Sequence, residues 1–164
     1  MSVLYKPQAR MTIYTTIGSS LQQGDIAPGT AANSGEGLAP YRTHQQEIGY
    51  KLATRAVDFS TAWFHLDRPF ATVDPADNVF RITGNQVNIG VEAMITGRIG
   101  TRLVTYGGFT VLDPTLTHTP VPETNDKHFV GIPTWKSNLL AEYRVAAGPA
   151  TFVSVNWQLV GGRQ

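Results

Sequence analysis

Two stretches of the chain alternate apolar and polar residues, each with a glutamate on its polar side. In Glu47-Ile48-Gly49-Tyr50-Lys51, Glu47, Gly49 and Lys51 share one face, and Ile48 and Tyr50 share the other. The stretch from Gly84 to Ala93 repeats this, with Val87, Ile89, Val91 and Ala93 opposed to Asn88, Gly90 and Glu92. A period of two belongs to an extended strand, so each stretch predicts a ribbon with one apolar and one polar face. In a small soluble sheet the apolar face turns inward onto a core. In an outer-membrane barrel it turns outward to lipid, and the polar side chains line a wet lumen.

The same alternation recurs along the chain. It predicts strands at 2–6, 10–18, 41–53, 56–67, 79–96, 101–112 and 134–145, and an eighth after a turn at Ala146-Ala147-Gly148-Pro149. Met11, Ile13, Thr15 and Ile17 oppose Thr12, Tyr14 and Thr16, and Val57, Phe59, Thr61 and Trp63 oppose Asp58, Ser60, Ala62 and Phe64. Connections after the odd strands are short. Those after the even ones are long and rich in Gly, Pro and polar residues, at 19–40, 69–78 and 113–133. Short turns on one side and long loops on the other is an outer-membrane layout. Strands of about 10 to 12 residues suit a tilted crossing of the hydrocarbon layer better than a soluble sheet, where about 5 to 6 is usual. Tyr50 and Tyr143 fall near short turns, while Trp63, Trp135 and Trp157 fall near long loops, as two membrane interfaces favour. A β-sandwich also alternates and would bury these aromatics in its core, so the pattern leaves both architectures open.

Composition narrows the chemistry. With 13 basic and 12 acidic residues among 164, the chain presents no polyanion-binding excess, and no nucleic-acid partner is expected. The absence of cysteine excludes disulfides, thiolate metal sites and cysteine nucleophiles. No apolar run reaches the ~18 residues of a membrane helix, which says nothing against a barrel. Residues 1–10 lack the basic start and apolar run of a signal peptide, so the chain as written is not expected to be exported unaided. His44, His65, His118 and His128 are scattered without a partner at ligand spacing, and no metal or cofactor is expected. Ser34-Gly35 and Gly107-Gly108 lack the lysine or nucleophile context of a phosphate loop or hydrolase elbow, so no catalytic residue is assigned.

An ordered set of short motifs resembles the later part of the barrel of TonB-dependent siderophore receptors. Leu4-Tyr5-Lys6-Pro7 with Met11-Thr12-Ile13-Tyr14-Thr15-Thr16 resembles a family hairpin. Pro40 with Gln46-Glu47-Ile48-Gly49-Tyr50-Lys51 resembles a Glu-x-Gly-x-Lys strand, and Ala62-Trp63-Phe64-His65 an alanine-aromatic-phenylalanine strand end. Thr83-Gly84-Asn85-Gln86 with Gly90-Val91-Glu92, Ile132-Pro133 with Tyr143, and Val160-Gly161-Gly162-Arg163 complete the series across essentially the whole chain.

The resemblance implies an all-β fold, an antiparallel up-and-down transmembrane β-barrel segment with about eight strands of a larger barrel of about 22. Residues 1–164 are then expected to be part of a receptor barrel in the cell outer membrane, without its plug domain or final strands. The implied partners are outer-membrane lipid, a ferric siderophore or similar chelate, and the TonB complex through an N-terminal part that this chain does not include. The implied role is receptor rather than enzyme.

Glu47, Lys51, Glu92, Glu142 and Arg144 are then structural residues facing the lumen. Tyr41, Arg42, Arg68, Phe70, Phe80 and Arg81 flank the long loops, where cations and aromatic rings suit an anionic or aromatic-rich chelate. Two alternatives stand beside this. One is a self-contained eight-stranded outer-membrane barrel with an adhesin or anchoring role, which needs its first strand to close on its eighth. The other is a soluble β-sandwich or lipocalin-like binder. The choice of cargo among iron, cobalamin, nickel or sugar is not written in loop composition.

Overall fold

The computed structural model describes residues 1–145 and 151–162. They form one antiparallel sheet that follows chain order: β1 (Ser2–Gln8), β2 (Met11–Gln22), β3 (Tyr41–Ala53), β4 (Val57–Val73), β5 (Phe80–Ile99), β6 (Leu103–Thr117), β8 (Trp135–Val145) and β9 (Thr151–Val160). A two-residue strip, β7 (Lys127–His128), extends the sheet beside the far end of β6. The described residues contain no helix. The predicted turn at Ala146 to Pro149 and the predicted Arg163 motif position lie outside the described residues.

Strand register decides which side chains share a face. Glu47 lies opposite Phe64, and Phe64 opposite Gly90. Lys51 lies opposite Thr12 and Ser60, while Glu92 lies opposite Ala62 and Thr110. Glu142 faces Val104 and Ser154. Extending the alternation from these pairs puts Ile48, Tyr50, Val57, Phe59, Val91, Leu139, Tyr143 and Val155 together on the other face. A hollow on the polar face, bordered by Gln45, Glu47, Phe64, Asn88, Glu92 and Lys136, spans β3 to β8 and marks that face as the concave one.

Among the described residues nothing covers the apolar face. Val91 is 47 % exposed, Val155 62 % and Trp157 58 %. Among the described residues the buried apolar side chains are Ala27, Ala31, Tyr41, Ala62, Pro114 and Leu116, none of which lies on that outer face within the strands. A water-soluble sandwich would cover such a face with a second sheet. The described residues form a single sheet, so the sandwich reading falls. β1 and β9 are not paired with each other, so the self-closed eight-stranded barrel falls as well.

Four strands outrun the sequence-based boundaries by three residues or more; β2 runs on to Gln22, so that 19–22 of the expected connection 19–40 pairs with β3, and β5 runs on to Ile99. The segment 69–78 was expected to be loop, yet Pro69 to Val73 pairs with β5, leaving only a short tip before Phe80. Similarly, Asp113 to Thr117 continues β6 instead of opening a loop. β4, β5 and β6 thus have 17, 20 and 15 residues, more than the ~9 to 11 that a crossing needs. Pro69 and Pro114 are tolerated because an antiparallel ladder leaves alternate N–H groups pointing away from a given neighbour. Proline and polarity signalled a loop locally. Pairing with a long neighbour overrode them.

Glycine on the concave face makes room for rings. Tyr14 lies opposite Gly49, and Phe64 opposite Gly90. A Cβ on Gly49 would run into the Tyr14 ring, and one on Gly90 into Phe64 and the Val111 carbonyl. Each ring therefore lies flat across the bare backbone of its neighbour, which pins register at two points.

Candidate functional site at the concave face and the long-loop mouth

The concave wall carries a compact polar cluster around Tyr14. Its hydroxyl donates to Glu47 Oε1 at 2.5 Å, and Gln45 Nε2 donates to Glu47 Oε2 at 3.2 Å. Lys51 Nζ stands 4.9 Å from the centre of the Tyr14 ring, within reach of a cation–π attraction. One tyrosine thus ties together two of the residues that sequence reasoning assigned to the lumen. Glu92 lies on the wall of the same hollow. Glu142 and Arg144 lie on the same face nearer the short turns, and Arg144 is exposed. Among the described residues none of these five charges forms an ion pair. Tyr14 itself was placed on the polar face but given no role, because only the register reveals that it stands over Gly49.

The mouth is built where β2, β4 and β6 end. Tyr41, Arg68 and Phe70 fall on the concave side by alternation. Tyr41 is buried, and its hydroxyl donates to Asp25 Oδ2 at 3.2 Å, anchoring the connection after β2. Phe70 lies opposite Gly84 and meets Phe129 edge to face, with ring centres 5.7 Å apart at 84°. Arg68 makes no ion pair among the described residues, and its Nε is shielded from solvent without a partner. It is therefore a guanidinium with charge and donors to spare.

The remaining three candidates are disposed differently. Arg81 is held by Asp74, with Nη2 to Oδ2 at 3.2 Å, and by Asp77. That guanidinium also holds the Asp77 carboxyl below the ordinary aspartate range, with a backbone hydrogen bond from Val79 assisting. Its charge is already committed to the tip. Phe80 carries the second role of its segment through its backbone. Its N–H donates to Asn33 Oδ1 at 2.8 Å, and its carbonyl accepts from Asn33 Nδ2 at 3.0 Å. Ala32 N–H donates to the Asn78 carbonyl at 2.7 Å, and Asn78 Nδ2 donates to the Thr30 carbonyl at 3.0 Å. The first long connection is thereby clasped to the tip between β4 and β5. Arg42, by contrast, alternates onto the outer face and is exposed. The structure thus brings Tyr41, Arg68 and Phe70 to one side of one wall and keeps Arg42 apart from them.

Sequence reasoning missed Asn33, Asp25 and Phe129, all in long connections whose approach to the wall is set by tertiary contacts. Among the described residues no three of His, Asp and Glu gather into a metal-holding group. The arrangement sets a polar wall beside a rim that bears aromatic rings and an arginine without an ion pair among the described residues.

The sequence model of a family described as "TonB dependent receptor-like, beta-barrel" matches residues 1–164. The chain is 30 % identical over 150 residues to the ferrichrome receptor FcuA of Yersinia enterocolitica, covering 87 % of this chain and 20 % of that protein. Its structure resembles that of BauA, the ferric preacinetobactin receptor of Acinetobacter baumannii. The TM-score is 0.79 with 30 % identity, over 97 % of this chain and 25 % of that one. The ferric yersiniabactin uptake receptor FyuA of Yersinia pestis has the same fold, with a TM-score of 0.79 at 16 % identity, over 98 % of this chain and 25 % of that one. The chain therefore spans a fifth to a quarter of the length of these proteins.

Proposed function

We propose, since this chain belongs to the TonB-dependent receptor β-barrel family, that it forms part of the wall and mouth of an outer-membrane receptor for a ferric siderophore. The observation that carries this reading is the match of the family along the whole sheet, with an unpartnered apolar face on its convex side. Lipid is the natural solvent for that face, and a wet lumen for the other. The relatives with 30 % identity are receptors named for ferrichrome and for ferric preacinetobactin. In this reading transport is driven by the TonB complex through parts of the receptor outside this segment.

At the mouth, Arg68 supplies the uncommitted cation, and Phe70 with Phe129 supplies a ring surface. A ferric chelate that is anionic and carries planar donor groups meets both demands at once. Glu47, Lys51 and Glu92 serve the wall rather than the cargo, since Tyr14 already engages the first two. No bond of the cargo is made or broken in this role.

The test is iron-limited growth of a strain lacking its own siderophore receptors and carrying the receptor that contains this chain. Uptake of one labelled ferric siderophore from a panel, abolished by loss of TonB, is the expected result. No uptake of any ferric siderophore, or uptake without TonB, overturns the proposal. Arg68→Gln is expected to raise the half-saturating siderophore concentration about tenfold while receptor abundance stays unchanged, as loss of one charged hydrogen-bond donor implies.

A further inference from the structure

Charge is sorted between the two ends of the sheet. Each described short turn carries one arginine and no acid: Arg10 before β2, Arg55 between β3 and β4, and Arg102 between β5 and β6. At nearby strand positions of lumen-facing alternation Arg98 and Arg144 stand with Asp58 and Glu142, so the positive excess at this rim rests on the turns themselves. The long connections are the reverse, with Asp25, Glu36, Asp74, Asp77, Glu123 and Asp126 against Lys127. Arg10, Arg55 and Arg102 are exposed and form no ion pair among the described residues. They adjoin the end of the lipid-facing band, where Ile99 is 60 % exposed, Tyr143 45 % and Val145 38 %.

We infer that the short-turn rim docks anionic phospholipid head groups of the leaflet it faces, through Arg10, Arg55 and Arg102. The inference rests on the reading of this sheet as a membrane-spanning wall. An arginine at the edge of an apolar band lays its stem along the band and lifts its guanidinium to head-group level. There it offers a planar fork of donors that fits a phosphodiester. Head groups are in place at that level already, whereas a protein partner would have to reach three separate turns that offer it no shared apolar anchor. Charge complementarity thus favours phosphate on lipid over an acidic protein segment.

The experiment uses the receptor that contains this chain, in nanodiscs of phosphatidylethanolamine with and without phosphatidylglycerol, and spin-labelled versions of both lipids. Motionally restricted phosphatidylglycerol is expected to exceed phosphatidylethanolamine by about threefold or more at low salt, falling toward parity in high salt. The triple variant Arg10→Gln, Arg55→Gln, Arg102→Gln is expected to lose that preference, and the triple lysine variant to keep most of it. Heat-modifiable gel migration confirms that each variant is folded. Equal association of the two lipids with the unaltered receptor overturns the inference, as does a preference that survives in the glutamine variant. Capture of an acidic protein by this rim without lipid selectivity overturns it too. Siderophore uptake by the same receptor separates the two readings: lipid selectivity without uptake supports the inference and removes only the cargo proposal. A receptor that does not enter lipid at all overturns both.

Discussion

The two rims of this sheet are made from the same strands and solve opposite problems. At the described turns of the short-turn rim the backbone closes on itself within two or three residues. Thr54 does this with its side chain, donating from Oγ1 to the Val57 carbonyl at 2.7 Å and accepting from Val57 N–H at 2.9 Å. Gly100, at φ 63°, supplies the left-handed residue in the turn before β6. Each of these described turns also exposes one arginine, Arg10, Arg55 or Arg102. At the long-loop rim the strands run on past the exposed apolar band, and the connections are held by contacts with one another. Tyr41 ties to Asp25, Asn33 to Phe80, Asn78 to Thr30, and Arg81 to two aspartates. The difference teaches that the first rim is local chemistry, whereas the second is a tertiary assembly with shaped, part-buried surfaces.

The largest test concerns what joins the rims. Expressed by itself, the 164-residue chain leaves the outer edges of β1 and β9 unpaired and its convex face bare. Each unsatisfied backbone group in hydrocarbon costs several kcal/mol, and in water a bare apolar face with open edges associates. The expected outcome is insoluble or unfolded material without detergent. A soluble monomer with a cooperative unfolding transition by sedimentation and circular dichroism would break the membrane-wall comparison altogether.

Depth between the rims gives the next effect. In the receptor, Ile95→Arg, midway along β5 between the row of Trp63 and Trp135 and the basic rim, is expected to cost about 2 to 4 kcal/mol, whereas Ile99→Arg, at the basic rim, is expected to cost about 0 to 1. The measurement is the urea midpoint of folding into liposomes. Equal costs at both positions would mean that the lipid band does not run where the exposed apolar residues place it. Gly90→Val comes after that. The new side chain meets the Val111 carbonyl as well as Phe64, and backbone cannot swing aside, so about 1 to 3 kcal/mol is expected in the same assay. Gly49→Ala is the milder companion, because Tyr14 can turn away at the expense of its hydrogen bond to Glu47.

At the long-loop rim, Asn33→Ala removes both hydrogen bonds to the Phe80 backbone and is expected to cost about 1 kcal/mol locally. Amide exchange at Phe80 should quicken several-fold while exchange in the midsection of β5 stays unchanged. The smallest effect is the acid response of the tip. The Asp77 carboxyl titrates below its ordinary value of 3.8, so its pairing with Arg81 contributes fully above that pH. The contribution is lost as pH falls through the lower folded value, once the carboxylate takes up a proton. Exchange of the Val79 amide, which donates to Asp77 Oδ1, is expected to gain protection as pH rises toward 3.8 in the native receptor, after correction for intrinsic rates, and the Asp77→Asn variant to show no such change.

What the sequence determined by itself was everything that a period of two can carry. Alternation at 47–51 and 84–93 set the strand type and the sharing of faces, and the spacing of short and long connections set the up-and-down order. These are properties of neighbouring residues on one ribbon, so no partner strand is needed to read them. Tertiary structure alone decided the register, because it is fixed by the summed fit of distant strands, and a slip of one residue would turn every face over. From register come the Tyr14 ring over Gly49, the grasp of that tyrosine on Glu47 and Lys51, and the extension of β4 and β6 into stretches whose proline and polarity spelled loop. The mouth was the least legible part. Tyr41, Arg68 and Phe70 were visible as residue types near loops, yet Asp25, Asn33 and Phe129 approach them from connections that carry no periodicity, and only the folded chain brings them there.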